Sequence, residues 1–180
     1  LDPKWLMSRI VATLPREAIV VEEALTSAFS LLSFLPMRGA HDFYGLASGG
    51  IGFAMAGAIG IQLAQPQRRV VAIVGDGSAM YSIQAVWTAA HLKLPITYII
   101  ANNASYRILK ERVMPYQKEA KFIAMDMREP RIDFVQLAQS MGVAAQRVTE
   151  PQALDAALAA AYAQSGPALI DVAVQDGFGS

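Results

Sequence analysis

"VVAIVGDGSAM", residues 70–80, runs five apolar residues straight into a carboxylate flanked by glycines. An apolar run of this length, cut off by turn residues, predicts a strand buried on both faces. A similar ending follows one helix later. "ITYIIANNAS", residues 96–105, is a second apolar run, and it ends in two asparagines. Between them "AMYSIQAVWTAAHL" (79–92) reads as a helix. Strand, helix, strand is the repeating unit of a parallel sheet.

The same alternation extends in both directions. "DPKWLMSRIVATL" (2–14) reads as a helix with Asp2 as N-cap and Pro3 in its first position. "AIVVE" (18–22) reads as a strand, "LTSAFSLLSFL" (25–35) as a helix stopped by Pro36, and "HDFYG" (41–45) as a short strand. "GIGFAMAGAIGIQLAQ" (50–65) is a helix stopped by Pro66. "DFVQLAQSMG" (133–142) and "EPQALDAALAAAYAQSG" (150–166) are helices, "AAQRV" (144–148) an edge strand, and "ALIDVAV" (168–174) a closing strand. The expectation is an α/β fold: a three-layer, doubly wound, mostly parallel sheet. The stretch 107–131 is charged, holds two prolines and fits neither period. It is expected to be a mobile loop at the active site.

Composition narrows the function classes. The 180 residues suffice for one domain with a sizeable core, and 1–180 reads as a single domain. Fifteen basic and fifteen acidic residues balance, so nothing points to nucleic acid. No apolar stretch reaches the roughly 18–20 residues of a membrane span. The absence of cysteine excludes disulfides, thiolate metal sites and a cysteine nucleophile. Hydrophobic residues make up 54%, enough to suggest apolar surface that meets another chain. The chain begins at Leu1 without a basic leader, and the expectation is a fragment of a longer cytoplasmic polypeptide.

In open parallel sheets ligands bind beyond the carboxyl ends of the strands. Asp76 and Asn102–Asn103 stand at two such ends, on one edge of the sheet. Gly75 and Gly77 let backbone approach a ligand closely. The helix that follows presents free amides, which suit a phosphate. A carboxylate would repel that phosphate unless a Mg²⁺ or Ca²⁺ ion lay between them. Such an ion takes oxygen ligands: one from Asp76, the amide oxygen of Asn103, and a main-chain carbonyl such as that of Ser105. Either ending alone reads as a turn. Two at matching strand ends point to a single metal-diphosphate clamp.

"GDGS" followed at this spacing by "NN" resembles the signature of thiamine diphosphate (ThDP) enzymes. The stretches "ASGGIGFAMAGAIGIQLAQP" (47–66), "GDGSAMYSIQAVWTAAHLKLPITYIIANNASY" (75–106) and "DFVQLAQSMGV" (133–143) are similar to the ThDP-dependent 2-oxoacid decarboxylases and acetolactate-synthase-like enzymes, most of all benzoylformate decarboxylase. The resemblance implies the C-terminal, pyrophosphate-binding domain. It assigns Asp76, Asn103 and the carbonyl of Ser105 to the metal. It places Gly75, Gly77, Ser78, Tyr81 and Tyr106 around the diphosphate, with Leu25 and Thr26 reaching it from the other side. Gly49, next to Gly50, would face the pyrimidine, and Ile51 would wedge under the cofactor. Ile108 and Arg112 would line the substrate pocket.

The implied reaction is non-oxidative decarboxylation of a 2-keto acid to an aldehyde, by a homo-oligomer. The alternatives are carboligation, as in acetolactate synthase, and a non-catalytic module with this fold. No catalytic residue is expected within the chain. The activating glutamate would come from a pyrimidine-binding domain on the same or a neighbouring chain, and Glu22 and Glu23 do not replace it. "GGIG" (49–52) is an incomplete dinucleotide fingerprint, which disfavours a nicotinamide-binding fold. His41, His91 and Trp87 read as structural, and Arg68–Arg69 as a solvated pair.

Overall fold

A computed structural model describes residues 1–116 and 121–177. Its centre is one six-stranded, all-parallel sheet. The strands are β1 (Ile19–Glu23), β2 (Phe43–Gly45), β3 (Val70–Gly75), β4 (Ile96–Asn102), β5 (Ala144–Val148) and β6 (Ala168–Ala173), in the order β2-β1-β3-β4-β6-β5. Helices cover both faces: α1 (Pro3–Thr13), α2 (Leu31–Phe34), α3 (Phe53–Ala64), α4 (Asp76–Ala79), α5 (Ala85–His91), α6 (Arg107–Val113), α7 (Phe134–Ser140) and α8 (Pro151–Tyr162).

The strands alternate between two cores. Val20, Val71, Ile73, Ile99 and Ile170 point to one, shared with α1 and α8. Val21, Val70, Ala72, Val74, Tyr98 and Ile100 point to the other, shared with α3, α5 and α7. Both faces of β3 are therefore dry, and Val70 through Val74 are fully buried. Each valine or isoleucine so buried favours folding by about 1.5–3 kcal/mol over an exposed one. That is why the central strands are continuous apolar runs rather than alternating ones. Edge strand β5, by contrast, leaves Ala144 and Gln146 exposed.

After β1 the chain turns toward β2, and after β3 it turns the opposite way, toward β4. The diverging connections open a crevice beyond the carboxyl ends of β1 and β3, the switch point at which such sheets bind ligands.

Helix ends follow local chemistry. Asp2 accepts from the Trp5 amide at 2.7 Å, with Pro3 in the first turn. Asp133 accepts from the Gln136 amide at 2.9 Å. Three segments depart from the sequence expectation. Residues 25–35 are not one helix: a 3₁₀ turn (Leu25–Ala28) precedes α2, because Leu25 holds a left-handed φ of 49°. The helix expected from 79 begins three residues earlier at Asp76, and turns interrupt it between α4 and α5. The stretch 107–131 opens as α6, and its later part pairs back on the site, Tyr106 N donating to Met125 O and Met127 N to Ala104 O. Residues 117–120 of that stretch lie outside the described residues. Among the described residues no helix is long and apolar enough to cross a membrane.

Candidate functional site

A cleft of about 360 Å³ occupies the switch point. Leu25, Thr26, Ile51, Gly75, Asp76, Gly77, Ser78, Tyr81, Asn103, Ser105, Tyr106 and Ile108 all line it. Gly49, Gly50 and Arg112 do not. The two glycines are exposed on the loop before α3, and Arg112 is on the exposed side of α6, where Arg107 and Leu109 line the cleft instead.

The register of the sheet brings the two motif endings together. Gly75 pairs with Ala101, so Asp76 and Asn102–Asn103 leave neighbouring strands side by side. Asp76 is 3% exposed. Its Oδ1 accepts from the Gly77 amide at 2.8 Å, and its Oδ2 is buried without a partner. Burial pushes its carboxyl up to about 6, against the pull of the Gly77, Ala104 and Ser105 amides that face it. A cation beside a carboxyl so raised would return it to the ionised form.

The opposite wall is the turn Asn102–Ser105. Asn103 Oδ1 accepts from the Ser105 amide at 2.9 Å and retains a lone pair. Ser105 pairs with Asp126 in an antiparallel bridge whose hydrogen bonds are made by the residues on either side. In such a pair the residue's own amide and carbonyl turn away from its partner. Those of Ser105 therefore turn away from Asp126, and Ser105 lines the same cleft as Asp76. The two asparagines do different work. Asn102 accepts from the Ala104 amide at 3.0 Å and donates to Asp171 Oδ1 of β6 at 2.9 Å. Asp171 in turn pairs with Arg147 of β5. Asn102 thus ties the turn to the sheet, and Ala104 closes it with a left-handed φ of 52°.

Gly77 has a packing reason. A Cβ there would meet the Tyr106 ring at 2.9 Å. On the β1 side, Glu22 Oε1 accepts from the amides of Ala24 (2.6 Å) and Leu25 (3.1 Å), which fixes the turn that carries Leu25 and Thr26 into the cleft. Burial holds the Glu22 carboxyl above its ordinary value. Glu23 is fully buried and accepts from Gly52 N and Ala54 N at the start of α3. It sets the loop that presents Ile51. These supporting roles of Glu22, Glu23 and Asn102, and the lining role of Arg107, carry no signal in the sequence, apart from two acids closing an otherwise apolar strand.

Among the described residues no cluster of three or more His, Cys, Asp or Glu side chains is placed to hold a metal. A cation here would have to combine the single Asp76 carboxylate with neutral oxygens. That donor set suits a hard divalent ion that also binds phosphate.

Comparison with known proteins gives concordant results. Residues 25–172 match the family model described as the thiamine pyrophosphate enzyme, C-terminal TPP binding domain. A Mycobacterium tuberculosis protein provisionally named as the acetolactate synthase large subunit IlvX is 39% identical over 170 residues, covering 91% of this chain and 33% of that protein. The benzoylformate decarboxylase of Pseudomonas aeruginosa is 35% identical over 175 residues, covering 97% of this chain and 33% of that enzyme. Among solved structures, the ThDP-dependent 4-hydroxybenzoylformate decarboxylase of Rhodococcus jostii RHA1 superposes with a TM-score of 0.91 at 36% identity, over 97% of this chain and 33% of that one. The chain spans about a third of the length of these relatives.

Proposed function

Because the chain belongs to the thiamine pyrophosphate enzymes, as their C-terminal TPP-binding domain, we propose that its cleft holds ThDP through a Mg²⁺ or Ca²⁺ ion and serves the non-oxidative decarboxylation of a 2-keto acid. The observation that carries this reading is the unpartnered, buried Oδ2 of Asp76 facing the Asn103–Ser105 turn. Asp76 would give the cation its carboxylate oxygen, Asn103 its amide oxygen and Ser105 its carbonyl. The backbone of Gly75, Gly77, Ser78, Leu25 and Thr26 would surround the diphosphate, with Tyr81 and Tyr106 beside it. Ile51, at the rim, would support the thiazolium, with Gly49 and Gly50 toward the pyrimidine. Ile108 and Arg112 remain the proposed substrate-pocket residues, Ile108 from the cleft lining and Arg112 from the exposed side of α6. Bound ThDP supplies the electron sink that lets CO₂ depart from the keto acid.

The chain's part is binding and orientation; the activating glutamate would come from a pyrimidine-binding domain on the same or a neighbouring chain. Exposed apolar side chains fit such a partner: Phe29 is 75% exposed, Leu32 57% and Trp87 55%. We place the domain in a homo-oligomeric enzyme on the same grounds. A carboligase of the acetolactate synthase kind is the second reading, favoured by the 39% identity to the relative provisionally named so.

Calorimetric titration with ThDP, with and without Mg²⁺, tests the site. Binding should require the metal, and Asp76→Ala should weaken it more than about a hundredfold, the scale of a lost charged ligand. Unchanged affinity in that variant refutes the clamp. Product analysis after the partner domain is supplied, aldehyde against an acetolactate-type hydroxy acid, separates the two reactions.

A further inference from the structure

Arg107 opens α6 at the end of the cleft where a second, open hollow of about 370 Å³ begins. Thr26, Ser27 and Arg107 line both spaces, whereas Ile51 lines only the first. Arg107 thus borders both spaces beside the Thr26–Ser27 turn. Two contacts fix its guanidinium. Nε donates to Glu111 Oε1 at 2.8 Å, one helical turn on. The group also lies flat against Gly177, where a Cβ would meet Cζ at 3.2 Å. Among the described residues neither Nη donates to any protein acceptor, although an arginine fork is built to make two parallel bonds.

The charges around the cleft give that fork a purpose. Arg107 is the only cationic side chain among the described residues that line it. A single divalent ion, already partly neutralised by Asp76, leaves a diphosphate with net negative charge. Backbone amides offset part of it, and a guanidinium held in place by Glu111 and Gly177 would offset much of the rest at little further entropic cost.

We propose that Arg107 is a further cofactor-binding residue, whose Nη groups donate to the terminal phosphate of the diphosphate. This rests on the reading of the cleft as a ThDP site. The group is assigned to the tail and not to the substrate carboxylate because it borders the Thr26–Ser27 turn proposed to face the diphosphate, in a hollow that Ile51, proposed to support the ring, does not line.

The test is calorimetry on the 180-residue chain with Mg²⁺, titrating ThDP, thiamine monophosphate and thiamine into the unaltered protein, Arg107→Gln, Arg107→Lys and Glu111→Gln. Arg107→Gln should weaken ThDP about tenfold to hundredfold, the range of a charge-assisted hydrogen bond. It should weaken the monophosphate less and thiamine not at all. Arg107→Lys should recover part of the loss, Glu111→Gln should show a smaller one, and added salt should narrow every gap. Equal ThDP affinity in the unaltered chain and Arg107→Gln overturns the proposal, as does an equal loss for all three ligands, which would mark a merely structural arginine. Failure of the unaltered chain to bind ThDP with Mg²⁺ overturns the site reading and this inference together.

Discussion

Gln62 and Asp76 are both buried polar side chains, packed near opposite ends of β3. Gln62 is 1% exposed. Its Nε2 donates to the carbonyls of Arg68 (2.8 Å) and Gln65 (3.2 Å), and its Oε1 accepts from Val70 N (3.0 Å). Nothing around it is left open. Arg68 and Arg69 belong to the same closed arrangement and are not the solvated pair expected from the sequence. Arg68 donates to Glu17 O and Asp42 Oδ1, and Arg69 to Pro95 O and Gln164 O. Asp76, buried as deeply, keeps one oxygen without a partner. A buried polar group is costly unless bonded, so the strand is satisfied at one end and left open at the other, which is the end the proposed clamp would use.

The largest effect should come from breaking the closed end. Gln62→Ala strands the Val70 amide and the Arg68 carbonyl in the interior. At roughly 1–3 kcal/mol for each unsatisfied group, the loss should be about 3 kcal/mol. Urea denaturation of the cofactor-free chain measures it, while Mg²⁺-dependent ThDP affinity in the folded protein should not change. A Gln62→Ala variant that kept its stability but lost cofactor affinity would invert the comparison.

The open end should behave in the opposite sense. The native Asp76 carboxyl holds its proton up to about pH 6, whereas in the unfolded chain it titrates near 3.8. Folding therefore takes up a proton between those values. The stability contributed by this group is complete below about pH 4 and is lost as pH rises through 6. Asp76→Asn should accordingly raise the stability of the cofactor-free chain at pH 7 by at most about 3 kcal/mol, less what burying the amide itself costs, and flatten that part of its pH profile. The same proton competes with the cation, so ThDP affinity of the unaltered chain should fall as pH drops below 6. An Asp76→Asn variant less stable than the parent at pH 7 would show that Asp76 is satisfied after all.

The contrast also explains what could be read in advance. Strands such as Val70–Val74 were legible because burial on both faces writes an unbroken apolar run into the sequence. Asp76 and Asn103 were legible because each closes such a run with residues that a strand does not need. Helix 25–35 was misread, since nothing in "LTSAFSLLSFL" announces that Glu22 will pull Leu25 into a left-handed turn. Glu23, Asn102 and Arg107 draw their meaning from partners distant in the chain: Glu23 bonds Gly52, Asn102 bonds Asp171, and Arg107 abuts Gly177. Periodicity carries no record of such pairs.

The smallest effect sharpens the comparison most finely, because it sets the same strain in both kinds of place. Lys93 and Ala104 each hold a φ of 52° without being glycine. Lys93 follows α5 as an ordinary left-handed helix stop. Ala104 closes the turn between Asn103 and Ser105, in the wall of the cleft. Glycine adopts this conformation without strain but frees the unfolded chain, so either substitution should stabilise by only about 0.5–1 kcal/mol. Lys93→Gly should do so and leave ThDP affinity alone. Ala104→Gly should give a similar gain yet weaken Mg²⁺-dependent binding about threefold, because a looser turn no longer holds the Asn103 and Ser105 oxygens in place before the cation arrives. Strain that stabilises on removal and yet serves binding while present marks a preorganised site. Equal affinities for the two glycine variants would reduce the φ of Ala104 to the same incidental turn geometry as that of Lys93.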